Sequence, residues 1–221
     1  IVDHYLLGFD WQKKARLIFD KIIVIDDLLN SPHDCDLIID PNIRDPRELR
    51  NYNLTFNKKS TPVLSGSKYL IIRPEFQIER NQIEKKLNKK KSEIDLLIMF
   101  GGGDNKQHIS AALNQLNKIH IKINIHLVVN NADYNHQKID SLVQNHKKVS
   151  VYKFSDQIHK VMSKCDVALG ALGTTTWERC YLGIPALVFA VKKNQLGFLK
   201  YLVSQNIVFD LGGEITFEKI K

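Results

Sequence analysis

DVALGALGTTTWERCYLGIPALVFAVKKNQ, residues 166–195, decides the fold. Val167–Leu169 is an apolar strand that ends at Gly170. Gly170-Ala-Leu-Gly173 follows, and its two glycines permit positive φ or close approach of a ligand to the backbone. Thr174, Thr175 and Thr176 bring three hydroxyls to the start of a helix. The first turn of a helix leaves backbone N–H groups unpaired and carries partial positive charge, so a phosphate fits there. Glu178 lies just inside the helix. Thr175-Thr-Trp-Glu178 equally fits a capping box, in which hydroxyl and carboxylate satisfy each other's orphan amides. The stretch by itself leaves both readings open. Gly183-Ile-Pro185 ends the helix, and Ala186–Phe189 is the next buried strand. Asn194 and Gln195 follow it, at the sheet edge where open α/β folds bind ligands.

Outward from this stretch, strand and helix patterns alternate with short connections. Ile94–Phe100 is apolar apart from Asp95 and runs into Gly101-Gly-Gly103-Asp104. Asn105–Ile119 has helical spacing through Ile109, Ala112, Leu113 and Leu116. Strands are expected at Ile123–Val129, Val149–Tyr152 and Ile207–Asp210. Helices are expected at Tyr134–His146, Asp156–Cys165 and Gln195–Ser204. Such alternation implies a doubly wound parallel sheet. All strand-to-helix turns of a parallel sheet lie at one edge, so Gly101–Asp104 and Gly170–Thr175 share a mouth. Neither loop has the spacing of a dinucleotide fingerprint or a Walker motif. NAD chemistry and ATP hydrolysis are thereby disfavoured, and a mononucleotide or nucleotide-sugar remains. Glu178, one turn into its helix, could accept hydrogen bonds from ribose hydroxyls.

The first part of the chain is less regular. Ile1–Tyr5 reads as the end of a buried strand with Asp3 and His4 at its tip. Phe9–Asp20 reads as a helix with Trp11, Ala15, Ile18 and Phe19 on one face. Lys21–Ile25 and Asp36–Ile39 read as strands, and Pro62–Gly66 then Lys68–Arg73 as a turn and a strand that Pro74 stops. His4 is a candidate general acid or base, since imidazole titrates near neutral pH. The carboxylates Asp26, Asp27, Asp34 and Asp36 match no EF-hand spacing, and no metal is expected. The expected domains are residues 1–80, a connector at 81–91, and a nucleotide-binding lobe at 92–221. Ile1 opens in mid-strand without a methionine, so further sequence is expected upstream, and the first lobe is expected to be incomplete.

Composition excludes several classes. The 221 residues are 43% hydrophobic and 25% charged, as in ordinary globular domains. No apolar run reaches the roughly 18 residues that suggest a membrane span. Three widely spaced cysteines, Cys35, Cys165 and Cys180, form no Cys-x-x-Cys pair, so the expected compartment is the cytoplasm. The net charge of +8 divides evenly between residues 1–91 and 92–221. The dense run Lys85–Lys91 has no interleaved aromatics, so it reads as a solvated helix end rather than a nucleic-acid surface.

An ordered set of motifs carries a resemblance over most of the chain. It comprises Val2-Asp-His-Tyr5, Ile25-Asp-Asp-Leu28, His33-x-Cys-Asp-Leu37, Tyr69-x-x-Ile-Arg-Pro-Glu-Phe76, Phe100-Gly-Gly-Gly-Asp104 and Gly173-Thr-Thr-Thr-Trp-Glu-Arg-Cys180 through Pro185 to Asn194-Gln195. Together these resemble the PseG family of UDP-sugar hydrolases, with SpsG-type and MurG-like proteins as wider relatives. The resemblance implies a GT-B-like fold of two Rossmann-like lobes. It also implies hydrolysis of UDP-2,4-diacetamido-2,4,6-trideoxy-β-L-altropyranose to sugar and UDP without metal or added cofactor. Gly101, Gly102 and Gly103 would approach the nucleotide. Gly173, Thr174 and Thr175 would hold the diphosphate, Glu178 the ribose, and Asn194 and Gln195 the sugar or its phosphate. The glycine loop bearing the family's catalytic histidine has no counterpart in this sequence, which leaves His4 as a stand-in. A glycosyltransferase with a UDP-sugar donor and a non-catalytic nucleotide- or nucleic-acid-binding module are the alternatives.

Overall fold

The structure, a computed structural model, describes residues 1–44, 46–56, 60–86, 92–101, 105–130, 141, 143–144, 146, 148–155, 157–173, 175–190 and 195–212. Its contacts divide the chain into two units, Ile1–Ile71 and Ile72–Lys221.

The first unit holds a parallel sheet of β1 (Ile23–Ile25), β2 (Leu37–Asp40) and β3 (Val63–Ser65), in that order. Val2 adds a single parallel bridge to Val24. Helices α1 (Phe9–Ala15) and α2 (Pro46–Thr55) accompany it. Val24, Ile38, Ile22, Tyr52 and Ala15 form its core. Two expectations change here, for α1 and for the third strand. Helix α1 stops at Ala15 and buries Gln12 and Ala15, whereas Trp11, Ile18 and Phe19 are exposed. The polar stretch from Asn51 continues α2 to Thr55. The third strand precedes Gly66 instead of following it: Ile38 pairs with Val63, and Gly66 at φ 112° ends the strand. Pro62 presents only its carbonyl, to Ile38 N–H, so proline sits where no N–H is needed. Ser67–Tyr69 is then a 3-10 turn rather than part of a strand.

The second unit opens with α3 (Pro74–Lys86). Pro74 is its first residue, a position that needs no N–H. The unit continues through β4 (Ile94–Met99), α4 (Lys106–Leu116), β5 (Ile123–Val129), β6 (Val149–Lys153), α5 (Ile158–Met162) and β7 (Val167–Ala171). It closes with α6 (Thr175–Leu182), β8 (Ala186–Phe189), α7 (Leu196–Ser204) and β9 (Phe209–Asp210). All six strands are parallel in the order β6-β5-β4-β7-β8-β9. The near-continuous apolar strands follow from burial on both faces: Leu97, Ile98, Leu127, Ala168, Leu169 and Val188 are all essentially inaccessible. Helix α3 packs on α5 and α6 and buries Phe76 completely. The division at Ile71 therefore lies before this helix, earlier than the connector expected at 81–91. Residues 81–86 are its last turns, and 87–91 lie outside the described residues. The helix expected at Tyr134–His146 also falls largely outside them.

Helix α6 ends as its sequence requires. Gly183 adopts φ 73°, and Ile184 N–H returns to Arg179 C=O while Gly183 N–H returns to Cys180 C=O. Gly170 is needed for a different reason. In the β4–β7 register it sits opposite Met99, and a Cβ there would lie 1.9 Å from the Met99 carbonyl oxygen. Backbone cannot yield to that overlap, so Gly170→Ala is expected to lower unfolding free energy by about 2 kcal/mol or more. Gly197→Ala, with open space around its Cβ, should instead add about 0.5–1 kcal/mol from helix propensity. Denaturant unfolding of the two variants checks the contrast.

Candidate functional site

In the second unit the strand order reverses direction between β4 and β7. The crevice beyond the carboxyl ends at such a point is where open α/β sheets bind ligands. Both glycine turns singled out in the sequence lie there. Gly101 follows β4 with φ 84°, and Gly173 follows β7 just before α6.

What distinguishes these turns is the fate of their carbonyls. Ala171 C=O accepts from Arg179 Nη2 at 3.3 Å. Leu172 C=O accepts from the side-chain amide of Gln195. Gly173 C=O accepts from Thr176 N–H at 2.9 Å. Across the crevice, Gly101 C=O accepts from Asn105 Nδ2 at 2.9 Å and Asn130 Nδ2 at 3.3 Å. A carbonyl turned toward a phosphate repels it; one that already serves an internal donor is held away. Helix α6 then presents its amide end and dipole at a turn whose described carbonyls, those of Ala171, Leu172 and Gly173, are occupied. The Gly173 amide is itself occupied, donating to Thr176 Oγ1 at 3.2 Å. That bond ties the turn to the first residues of α6.

Glu178 is largely buried, and its Oε1 accepts from Arg73 Nη2 at 3.1 Å, with Glu178 at 16% and Arg73 at 37% side-chain exposure. The capping box is not formed, because Thr175 is already helical and the Glu178 carboxylate goes to Arg73. Arg73 sits at the start of α3, its guanidinium 5.0 Å from the Phe76 ring centre. Burial raises the Glu178 carboxyl above the usual range, and the Arg73 charge and hydrogen bond only partly offset this.

Of the residues expected in the site, Gly101, Gly173, Thr175, Glu178 and Gln195 belong to these turns and helix starts. Gln195 is a scaffold group, since its amide holds Leu172 C=O. Gly102, Gly103, Thr174 and Asn194 lie outside the described residues. His4 belongs to the first unit, where it is exposed and its Nδ1 accepts from Leu6 N–H at 3.1 Å. Its neighbour Tyr5 donates to Asp27 Oδ1 at 2.7 Å, which with burial pushes the phenol up to about 12.

Sequence reasoning missed a buried polar set in the first unit. His33 Nε2 lies 2.9 Å from Asp26 Oδ2, and its Nδ1 lies 3.0 Å from Gln12 Nε2. Gln12 is fully buried, and its Oε1 accepts from Asp34 N–H at 2.8 Å. That bond fixes the amide orientation, so His33 Nδ1 is an acceptor and Nε2 carries the proton to Asp26. Burial pushes the Asp26 carboxyl up, but the bonds from His33, Leu28 and Leu29 outweigh it and hold the carboxyl below its usual range. Asp34 and Asp36 both pair with Arg16. The clustered carboxylates thus have partners within the unit. Among the described residues no three His, Cys, Asp or Glu side chains gather as metal donors.

The sequence reading also missed Arg73 and Arg179 as site residues. Arg179 had a signal, since it lies three residues after Thr176 and three before Leu182, on the inward stripe of α6.

Parallel sheets with glycine turns at the switch point define an α/β fold that matches GT-B glycosyltransferase structures. MurG of Acinetobacter baumannii aligns over 94% of this chain and 57% of its own, with a TM-score of 0.60 at 15% identity. Residues 72–209 match the family described as lipid-A-disaccharide synthetase, and the chain belongs to that family. The spore coat polysaccharide biosynthesis protein SpsG of Bacillus subtilis is 27% identical over 160 residues, 71% of this chain and 46% of its own length. UDP-2,4-diacetamido-2,4,6-trideoxy-beta-L-altropyranose hydrolase of Campylobacter jejuni is 25% identical over 196 residues, 88% of this chain and 67% of its own. The chain thus spans about half to two thirds of the length of these curated relatives. No helix among the described residues is long and apolar enough to cross a membrane.

The buried Glu178 carboxyl has a thermodynamic consequence. Its folded pKa is raised, so its contribution to stability is full below the unfolded value and lost as pH rises through the folded one. Comparing native protein with Glu178→Gln, unfolding free energy should shift against the native chain as pH rises above the ordinary glutamate value of about 4. Denaturant titrations over a pH series check the sign.

Proposed function

We propose that the switch-point crevice of the second unit binds the UDP part of a UDP-sugar, and that the protein cleaves the bond between the sugar and its diphosphate. The observation that carries this is the tying of the described carbonyls at the switch point, Gly101 after β4 and Ala171, Leu172 and Gly173 before α6, to internal donors. An anion needs donors without competing acceptors, and a diphosphate is the anion a nucleotide-sugar presents. Glu178, held by Arg73 through Oε1, has Oε2 for a ribose hydroxyl. Gly101 on the β4 side has open space where a side chain would stand, which suits close approach of the nucleotide.

The chemistry is hydrolysis in the first reading. Water adds to the anomeric carbon, the carbon–oxygen bond to the β-phosphate breaks, and UDP departs with the bonding electron pair. The water loses a proton to a general base. His4, in the first unit, is the candidate within this chain. Similarity to the Campylobacter hydrolase supports this reading. Transfer of the sugar to an acceptor hydroxyl is the second reading, and the synthetase family match favours it. Both reactions use the same nucleotide site and differ in what attacks. We place the reaction in surface-polysaccharide or nonulosonic acid biosynthesis, in the cytoplasm where UDP-sugars are made, with no resident metal or cofactor.

Titration calorimetry with UDP tests the site. Glu178→Gln should weaken UDP by about tenfold, the value of one hydrogen bond to a charged acceptor. Equal affinities in the two proteins would remove Glu178 from the site. Incubation with a UDP-sugar and no acceptor tests the chemistry. Release of free sugar supports hydrolysis, whereas turnover only with an added acceptor replaces it with transfer.

A further inference from the structure

Arg179 is 1% exposed, a guanidinium inside the second unit. Its Nη2 donates to Ala171 C=O at 3.3 Å and to Thr176 Oγ1 at 3.1 Å. The same hydroxyl accepts from Gly173 N–H, so one side chain grips the turn at both its ends. Its Nε and Nη1 are buried and have no hydrogen-bond partner among the described residues. The carboxylate next to it in sequence, Glu178, bonds to Arg73. Burial lowers the guanidinium to about 10, and it still carries its charge at neutral pH. An incompletely paired buried cation disfavours folding, and an apolar side chain of similar length is often the more stable choice. Arg179 Nη1 lies 3.4 Å from where a Cβ of Gly170 would stand.

We propose that Arg179 is a positioning residue for a diphosphate, drawing the Ala171 carbonyl inward, holding the Gly173 amide through Thr176 Oγ1, and placing a fixed positive charge beneath the turn. This rests on the reading that the turn takes a nucleoside diphosphate. In a water-poor interior that charge is weakly screened, so it acts on the anion above the turn without touching it. Its effect grows with the charge developing on the phosphate as the sugar leaves, which favours the departing group over the intact substrate. Arg179, Thr176 and Gly173 then form one device. The guanidinium orients the hydroxyl, the hydroxyl holds the Gly173 amide, and the Ala171 carbonyl is drawn down by the same nitrogen.

The test separates phosphate from nucleoside. Native protein, Arg179→Met and Thr176→Val are titrated with uridine, UMP, UDP and inorganic pyrophosphate. Arg179→Met should lose about tenfold or more for UDP and pyrophosphate, the scale of one unit charge acting through a few ångströms of protein interior, with a smaller loss for UMP and none for uridine. Thr176→Val keeps the guanidinium but cuts its link to Gly173, and should show the same order of losses at smaller size. It decides the matter if Arg179→Met does not fold. A parallel fall for uridine and UDP would make Arg179 a structural residue only and overturn the proposal. UDP binding equal to native in both variants would overturn it too, while leaving the nucleotide site standing. Native protein that binds neither UDP nor pyrophosphate would remove the site and the proposal together.

Discussion

The second unit depends on where one turn sends its carbonyls. Between β7 and α6 the chain must pass from a strand buried on both faces to a helix start at the sheet edge. Every peptide in that passage exposes an acceptor as well as a donor. Here the acceptors of Ala171, Leu172 and Gly173 are taken by Arg179, Gln195 and Thr176. Without those bonds the turn would present a mixed surface with little preference for anions. With them, the amide end of the helix dominates. The same logic recurs at Gly101, whose carbonyl serves Asn105 and Asn130.

This arrangement ties site to stability with opposite signs. Gly170 is required by the close approach of Met99 C=O. Arg179 holds the Ala171 carbonyl and the Thr176 hydroxyl, yet two of its nitrogens are buried without partners among the described residues. Glu178 is likewise raised by burial while Arg73 restrains it. Departures from local rules that cost folding energy gather where a ligand would sit, as expected at functional positions. The buried polar set of the first unit differs. His33, Asp26, Gln12 and Asp34 satisfy one another, and neither ring nitrogen of His33 remains for chemistry. That set fixes the loop after β1 rather than offering a reactive group.

Much of this was legible in the sequence. The second unit's strands read clearly because parallel strands covered on both faces are continuous apolar runs, and Gly183 marked the end of α6 because a left-handed cap demands it. The first unit read poorly. Its strands are three or four residues long, too short for periodicity to separate from turns, so the third was placed on the wrong side of Gly66. The stripe expected on α1 failed because Trp11, Ile18 and Phe19 remain at the surface while the polar Gln12 turns inward to bond His33 and Asp34.

The sequence by itself determined the alternation of strand and helix, the two glycine turns at one sheet edge, and Glu178 one turn into its helix. Those features follow from spacing, which is local. Tertiary structure alone decided which polar groups are spent. It assigned Glu178 to Arg73 instead of a capping box, tied the Gly173 amide to Thr176 Oγ1, and turned Arg179 inward onto Ala171 C=O and Thr176 Oγ1. Each of those outcomes is a hydrogen bond whose partner was chosen by packing among several nearby candidates. Spacing brings such candidates within reach, and only the packed fold selects between them.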